Sequence, residues 1–192
     1  MLGRTHDLSA FTLLVAVSAA QPLPQMSLAT AIVALSSNLL GGMTPDLDEP
    51  TAKFWNNFPA GSIIGRIVHP LLGSHRMISH SLFGMALVGW LLKLLLLKIS
   101  TVLLVDMNIV WWAFMIGYIS HLIADSFTKE GVPWLFPIPI RLGFPPFKFM
   151  RLTTGGFIEK GLIFPGLLIF NGMVFYWNYE KFLQIFKGLV AK

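Results

Sequence analysis

The stretch 101–125, TVLLVDMNIVWWAFMIGYISHLIAD, decides how this chain folds. It is apolar from Thr101 to Ala124, and its only carboxylates and imidazole are Asp106, His121 and Asp125. A helix needs ~20 apolar residues to cross ~30 Å of hydrocarbon. The stretch therefore reads as a membrane-spanning helix, with Asp106 as its starting cap. His121 and Asp125 are four residues apart, so on a helix both project from one face near its end. An imidazole and a carboxylate in such surroundings are costly unless paired or ligated. Either a His–Asp hydrogen bond or a metal ion answers that cost.

Outward from this helix, Ile78–Leu97, interrupted by Lys93 alone, and Gly161–Tyr179 are also long enough to span. Leu8–Ala20 stops before Gln21-Pro22-Leu23-Pro24, and Met26–Leu40 stops at Gly41-Gly42, read as a helix end. These two are shorter. They are expected to tilt inward against the others or to form a hairpin turning at Pro22 and Pro24. Of the 192 residues, 55% are hydrophobic and 12% charged, about half the charge of a soluble domain. Cysteine is absent, which excludes disulfides and thiolate metal sites. The expected fold is an all-α integral membrane bundle of four to five transmembrane or membrane-embedded helices, forming one domain over 1–192.

Two polar stretches, 43–77 and 126–160, separate the helices. The second is rich in Pro and Phe, as in Phe144-Pro145-Pro146-Phe147, which suggests an irregular segment lying on or dipping into the interface. The tail 180–192 is amphipathic and is placed at the interface as well. If all five segments span, the N-terminus and both polar stretches share one side. That side carries nine of the fourteen Lys and Arg (Arg4, Lys53, Arg66, Arg76, Lys129, Arg141, Lys148, Arg151 and Lys160). By the positive-inside rule it faces the cytoplasm. The net charge of +5 is scattered between apolar runs, so no nucleic-acid partner is expected. A competing reading takes Arg4, the first apolar run and Val17-Ser18-Ala19 as a signal peptide. Asp7 in the charged region argues against it.

The same topology gathers the chemistry-bearing residues. His6, Asp46, Asp48, His75, His80, His121, Asp125 and Glu159 all fall on the cytoplasmic side. In an extended segment Asp46 and Asp48 would point the same way, converging on one ion or bridging two. His75 and His80 open the third helix about 140° apart, so they do not share a face, and His80 is the deeper. Arg76 is placed to hold an anionic substrate group. Ser79 and Ser81 read as helix-surface hydroxyls.

These motifs resemble the YdjM-type family of predicted membrane-bound metal-dependent hydrolases. The matching pieces are Thr5-His6, then Gly42-Met43-Thr44-Pro45-Asp46-Leu47-Asp48, then His75-Arg76-Met77-Ile78-Ser79-His80-Ser81. Gly117 to Thr128 follows, continuing to Gly131-Val132-Pro133-Trp134-Leu135-Phe136-Pro137, and Thr154 to Glu159 resembles a final acidic motif. A looser similarity in ligand order links His6, Asp46 or Asp48, His80 and His121-x-x-x-Asp125 to zinc-dependent phospholipase C, whose later His elements are missing here. The resemblance implies metal-dependent hydrolysis.

The expected function is hydrolysis of a phosphoester on a lipid or other amphiphile at the cytoplasmic face of the inner membrane. One or two divalent ions, zinc first and manganese second, would be held by His6, Asp46, Asp48, His75, His80, His121 and Asp125. Asp46 or Glu159 would act as base and Arg76 would hold the phosphate. The alternatives are a divalent-ion or proton transporter, which lacks ligands through the bilayer, and a scaffold with a structural metal.

Overall fold

The computed structural model describes residues 1–22, 25–49, 55, 61, 63, 65–66, 77–100, 102 and 104–190. His75 and Arg76 lie outside the described residues. Six α-helices account for most of the described chain. They are α1 (Gly3–Ala20), α2 (Leu28–Met43), α3 (Leu82–Ile99), α4 (Met107–Ser126), α5 (Phe164–Trp177) and α6 (Tyr179–Val190). A 3-10 helix, Thr44–Asp48, extends α2, and a π-helical turn, Glu159–Ile163, leads into α5. Among the described residues, four stretches are long and apolar enough to cross a membrane: Leu28–Asp48, Leu82–Ile99, Met107–Ser126 and Glu159–Trp177.

Three of the helices, α2, α3 and α4, begin where side chains satisfy free backbone N–H groups. Asp106 Oδ1 accepts from the amides of Asn108 and Ile109 at 2.9 and 3.2 Å. Ser27 and Ser81 accept from Thr30 and Gly84 in the same way. Ser81 is thus the cap of α3 and not a hydroxyl on its surface. The third helix starts at Leu82, so His80 stands in the turn before it.

The core is the pairing of α2 with α4, with α1 packed across both and α5 against α1. Small residues bring α2 and α4 backbone to backbone. A Cβ on Gly117 would overlap the carbonyl of Asn38, and one on Gly41 would overlap that of Phe114. Asn38 Nδ2 donates to the Ala113 carbonyl at 3.0 Å and Ser37 Oγ to that of Val110 at 3.1 Å, closing the same seam. Such close small-residue contacts are how helices gain packing in a lipid solvent. Gly41 and Gly42 were expected to end the second helix. They lie inside it, and their role is this close approach.

Outward faces of α3 and α5 are covered with exposed apolar side chains, including Trp90, Leu95, Leu97, Leu168 and Ile169. Residues 127–156 form an irregular segment after α4, tied by isolated bridges pairing Thr128 with Leu152 and Val132 with Leu142. Buried Arg151 organises it, donating to the Pro145 and Pro146 carbonyls at 2.7 and 2.9 Å. Phe144, Phe147, Phe149 and Phe157 project outward, exposed. On α6, Lys181 Nζ reaches back to the carbonyls of Ala19 and Gln21, closing the end of α1.

Gly117→Ala should therefore lower the thermal midpoint in detergent, an overpacking cost of about 1–3 kcal/mol. Gly172→Ala, on an open face of α5, should leave it unchanged or raise it slightly, since alanine favours helix by about 0.5–1 kcal/mol. Equal responses of the two variants would show that α2 and α4 are not in backbone contact.

Candidate metal centre

Four elements meet at one place. His6 comes from the first turns of α1, Asp46 and Asp48 from the 3-10 extension of α2, and His80 from the turn before α3. His121 and Asp125 come from the last turns of α4. His6, His80, His121, Asp48 and Asp125 are fully or almost fully buried, whereas the side chain of Asp46 is 32% exposed.

Four ligand atoms form a ring. His80 Nε2 is 3.6 Å from Asp46 Oδ1 and 3.7 Å from Asp125 Oδ2. His121 Nε2 is 3.5 Å from Asp46 Oδ1 and 3.8 Å from Asp125 Oδ2. A tetrahedral zinc with bonds of 2.0–2.1 Å sets its ligands about 3.3 Å apart. Each of these four edges exceeds that spacing by only a few tenths of an ångström. Among the described residues, two triads meet the distance requirements of a metal site, His6–Asp46–His121 and His80–His121–Asp125. They share His121, whose Nε2 has one lone pair, so through it His121 can serve an ion in one triad or the other but not two ions at once.

The imidazoles of His121 and His80 are each aimed by the group behind them. His121 Nδ1 lies 2.7 Å from the Gly42 carbonyl, which only a donor can satisfy, so Nε2 is left as the acceptor facing the ring. That Nε2 has no hydrogen-bond partner among the described residues. His80 Nδ1 is 3.1 Å from Ser79 Oγ and 3.5 Å from Asp48 Oδ2, and Ser79 Oγ donates to the same carboxylate oxygen. Tyr118 fixes this turn by donating to the Ser79 carbonyl at 2.6 Å. A carboxylate behind a histidine is the arrangement that orients metal-ligating imidazoles. Burial opposes protonation of His80, but the carboxylates of Asp46 and Asp48 outweigh it and raise its pKa above the usual value.

His6 stacks flat on His121, ring centroids 3.7 Å apart, with its Nε2 3.2 Å from Asp125 Oδ1. The Met1 nitrogen also donates to Asp125 Oδ1. Asp125 therefore presents one oxygen to His6 and the other to the ring of His80 and His121.

The structure brings together His6, Asp46, His80, His121 and Asp125, and it separates two residues from them. Asp46 and Asp48 were expected to converge from an extended segment. The segment is a 3-10 helix with three residues per turn, so residues two apart diverge. Asp46 faces the ring and Asp48 faces the far side of His80. Glu159 was expected as a base, but its two oxygens accept from the backbone of Leu2 and Gly155, each at 2.7 Å. Its contacts are those of a clamp joining the start of α1 to the segment before α5. The sequence reading missed Ser79, Tyr118 and the Gly42 carbonyl. The Ser flanking His80 was a visible signal, but a carbonyl acceptor leaves none.

Comparison with known proteins places this chain in a family. Residues 1–183 match the model of the YdjM inner membrane protein family. The uncharacterized protein YvsG of Bacillus subtilis (strain 168) is 32% identical over 145 residues, covering 76% of this chain and 79% of that protein. No solved structure matches, so the likeness to phospholipase C rests on ligand order alone.

Asp48→Asn should weaken zinc affinity about 10–100-fold, measured by competition with a chelator in detergent, whereas Glu159→Gln should not change it. Parent-like affinity in Asp48→Asn would remove the orienting role assigned to that carboxylate. The family match and the apolar spans agree: the chain is a membrane protein belonging to the YdjM inner membrane protein family.

Proposed function

We propose that this protein is a metal-dependent hydrolase that cleaves a phosphoester on a lipid or another amphiphile at the cytoplasmic face of the inner membrane. The observation that carries the reading is the ring of His80, His121, Asp46 and Asp125, with edges of 3.5–3.8 Å, in which three members are buried and Asp46 reaches solvent. A structural site closes around its ion with four protein ligands, whereas a catalytic one keeps an open position. The exposure of Asp46 supports an opening on that side. The excess of Lys and Arg on the segments at this end supports the cytoplasmic orientation.

His80, His121 and Asp125 would hold one divalent ion, zinc or manganese, since nitrogen and oxygen donors suit both. His6 would pack against His121 and share Asp125, completing the site or contributing to a second ion bridged by that carboxylate. When bound, the ion supplies Lewis acidity and acidifies water at the site. Asp46 has one oxygen towards the two imidazoles and is the acidic group of the ring open to solvent, so it is the residue placed to take a proton. Gly42 and Asp48 hold the imidazole tautomers throughout. Arg76, four residues before His80, is proposed to pair with the substrate phosphate.

Phosphate release from a panel of lipid phosphates in mixed micelles tests this reading. The metal-loaded parent should release phosphate, and His121→Ala should not. Asp46→Asn should lower kcat about 10²–10⁴-fold, the usual contribution of a general base. A parent that retains its metal but leaves the whole panel intact would contradict the hydrolase reading.

A further inference from the structure

Beside the ring lies a second feature that the proposed chemistry does not use. A cavity of about 410 Å³ runs between α1, α4 and α5. Leu13 and Ala16 of α1 form one wall and Leu167 and Phe170 of α5 the other. Its floor is α4, where Ser120 and Ala124 line it. These are the immediate neighbours of His121 and Asp125, so the cavity and the candidate metal centre adjoin along one helix.

Its surface offers almost nothing to a polar ligand. The hydroxyl of Ser120 is turned back to the Gly117 carbonyl at 2.7 Å, and that of Thr12 to the Leu8 carbonyl at 2.7 Å. Asn171, which points at this region from α5, spends its amide on Thr12 Oγ1 and the Leu167 carbonyl. The Ser120 and Thr12 hydroxyls and Asn171 Nδ2 are thus engaged within the bundle, Ser9 and Met1 also border the cavity, and the rest of the lining is aliphatic and aromatic. A single turn of α-helix, about 10 Å across and 5.4 Å tall, already fills about 420 Å³, so the space is too small for another helix. It suits a slender hydrocarbon.

We propose that this cavity is an acyl-chain groove. One hydrocarbon tail of a membrane lipid lies between α1, α4 and α5, which sets its polar head at the end of α4 where His121 and Asp125 stand. That the occupant is the substrate's tail, and not a resident lipid's, rests on the hydrolase reading above. The groove would then select amphiphiles with a long alkyl chain and exclude free, water-soluble phosphates.

The test uses the full chain in lipid nanodiscs containing a phosphatidic acid with a photoreactive diazirine in the part of its acyl chain nearest the glycerol. Crosslinked peptides are mapped, and metal content and phosphate release are measured on the same samples. Label should concentrate on residues 120–127 and 163–170, about tenfold above the lipid-exposed face of α3 around Trp90 and Leu97. Ala16→Trp should fill the groove and abolish that excess with metal content unchanged. Leu167→Trp fills it from the opposite wall and serves if the first variant is unstable. Even labelling of the α3 and α5 faces, or a groove label that survives both variants, would overturn the proposal. Groove labelling without phosphate release would keep the groove and remove the hydrolase. Phosphate release that is indifferent to both variants would keep the hydrolase and remove the groove.

Discussion

Three imidazoles and the carboxylate of Asp125 share a buried space at one end of a bundle whose other surfaces are made for hydrocarbon. An apolar surrounding penalises charge heavily, and the penalty is relieved only by opposite charge held close. The distances among Asp46, Asp125, His80 and His121 are those of groups drawn toward a common centre, and the buried carboxylates behind and beside them favour a cation there. Much of the remaining fold serves to keep these four groups at that spacing. The Gly42 carbonyl and the Ser79–Asp48 pair set the imidazole faces. Glu159 ties the first turn of α1, which bears His6, to the segment entering α5.

That arrangement depends on helices approaching closely. His121 can bond to the Gly42 carbonyl only because α2 and α4 meet backbone to backbone at Gly41 and Gly117. The same seam brings the 3-10 extension of α2 alongside the end of α4, so that Asp46 meets His121. Packing and chemistry are therefore linked through one contact, and a side chain inserted there would be felt at the candidate metal centre as well as in stability. The cavity beside the ring follows from the opposite condition. α5 meets α1 through Thr12–Asn171 and Phe11–Phe175, and the space left between α1, α4 and α5 is lined by hydrocarbon.

Much of this was legible in the sequence because membranes impose simple rules. Apolar length marked three of the spans, and the positions of the ionisable residues along them gathered His6, Asp46, His80, His121 and Asp125 at one end. Local backbone was harder. Pro45 gave no reason to choose between an extended segment and a 3-10 helix, yet that choice separates Asp46 from Asp48 by role. Gly41-Gly42 read as a stop because glycine is common there, whereas its value lay in tertiary contact with α4, which is invisible along the chain. Glu159 looked like a base by type and position, but its carboxylate is committed to backbone amides, and its pairing with Leu2 is a long-range one that spacing does not encode. The second span came out longer than expected because its 3-10 extension carries it to Asp48.

The most direct test of the central claim is the metal content of purified, detergent-solubilised protein, with X-ray absorption at the metal edge, in the parent and in His121→Ala. The account predicts about one or two divalent ions per chain with nitrogen and oxygen neighbours at about 2.0–2.1 Å. Imidazole scattering should be present in the parent, and the ion should be lost in His121→Ala while the helical content is kept. A parent that binds no ion after supplementation with zinc and manganese, or a His121→Ala variant that binds as the parent does, would contradict it.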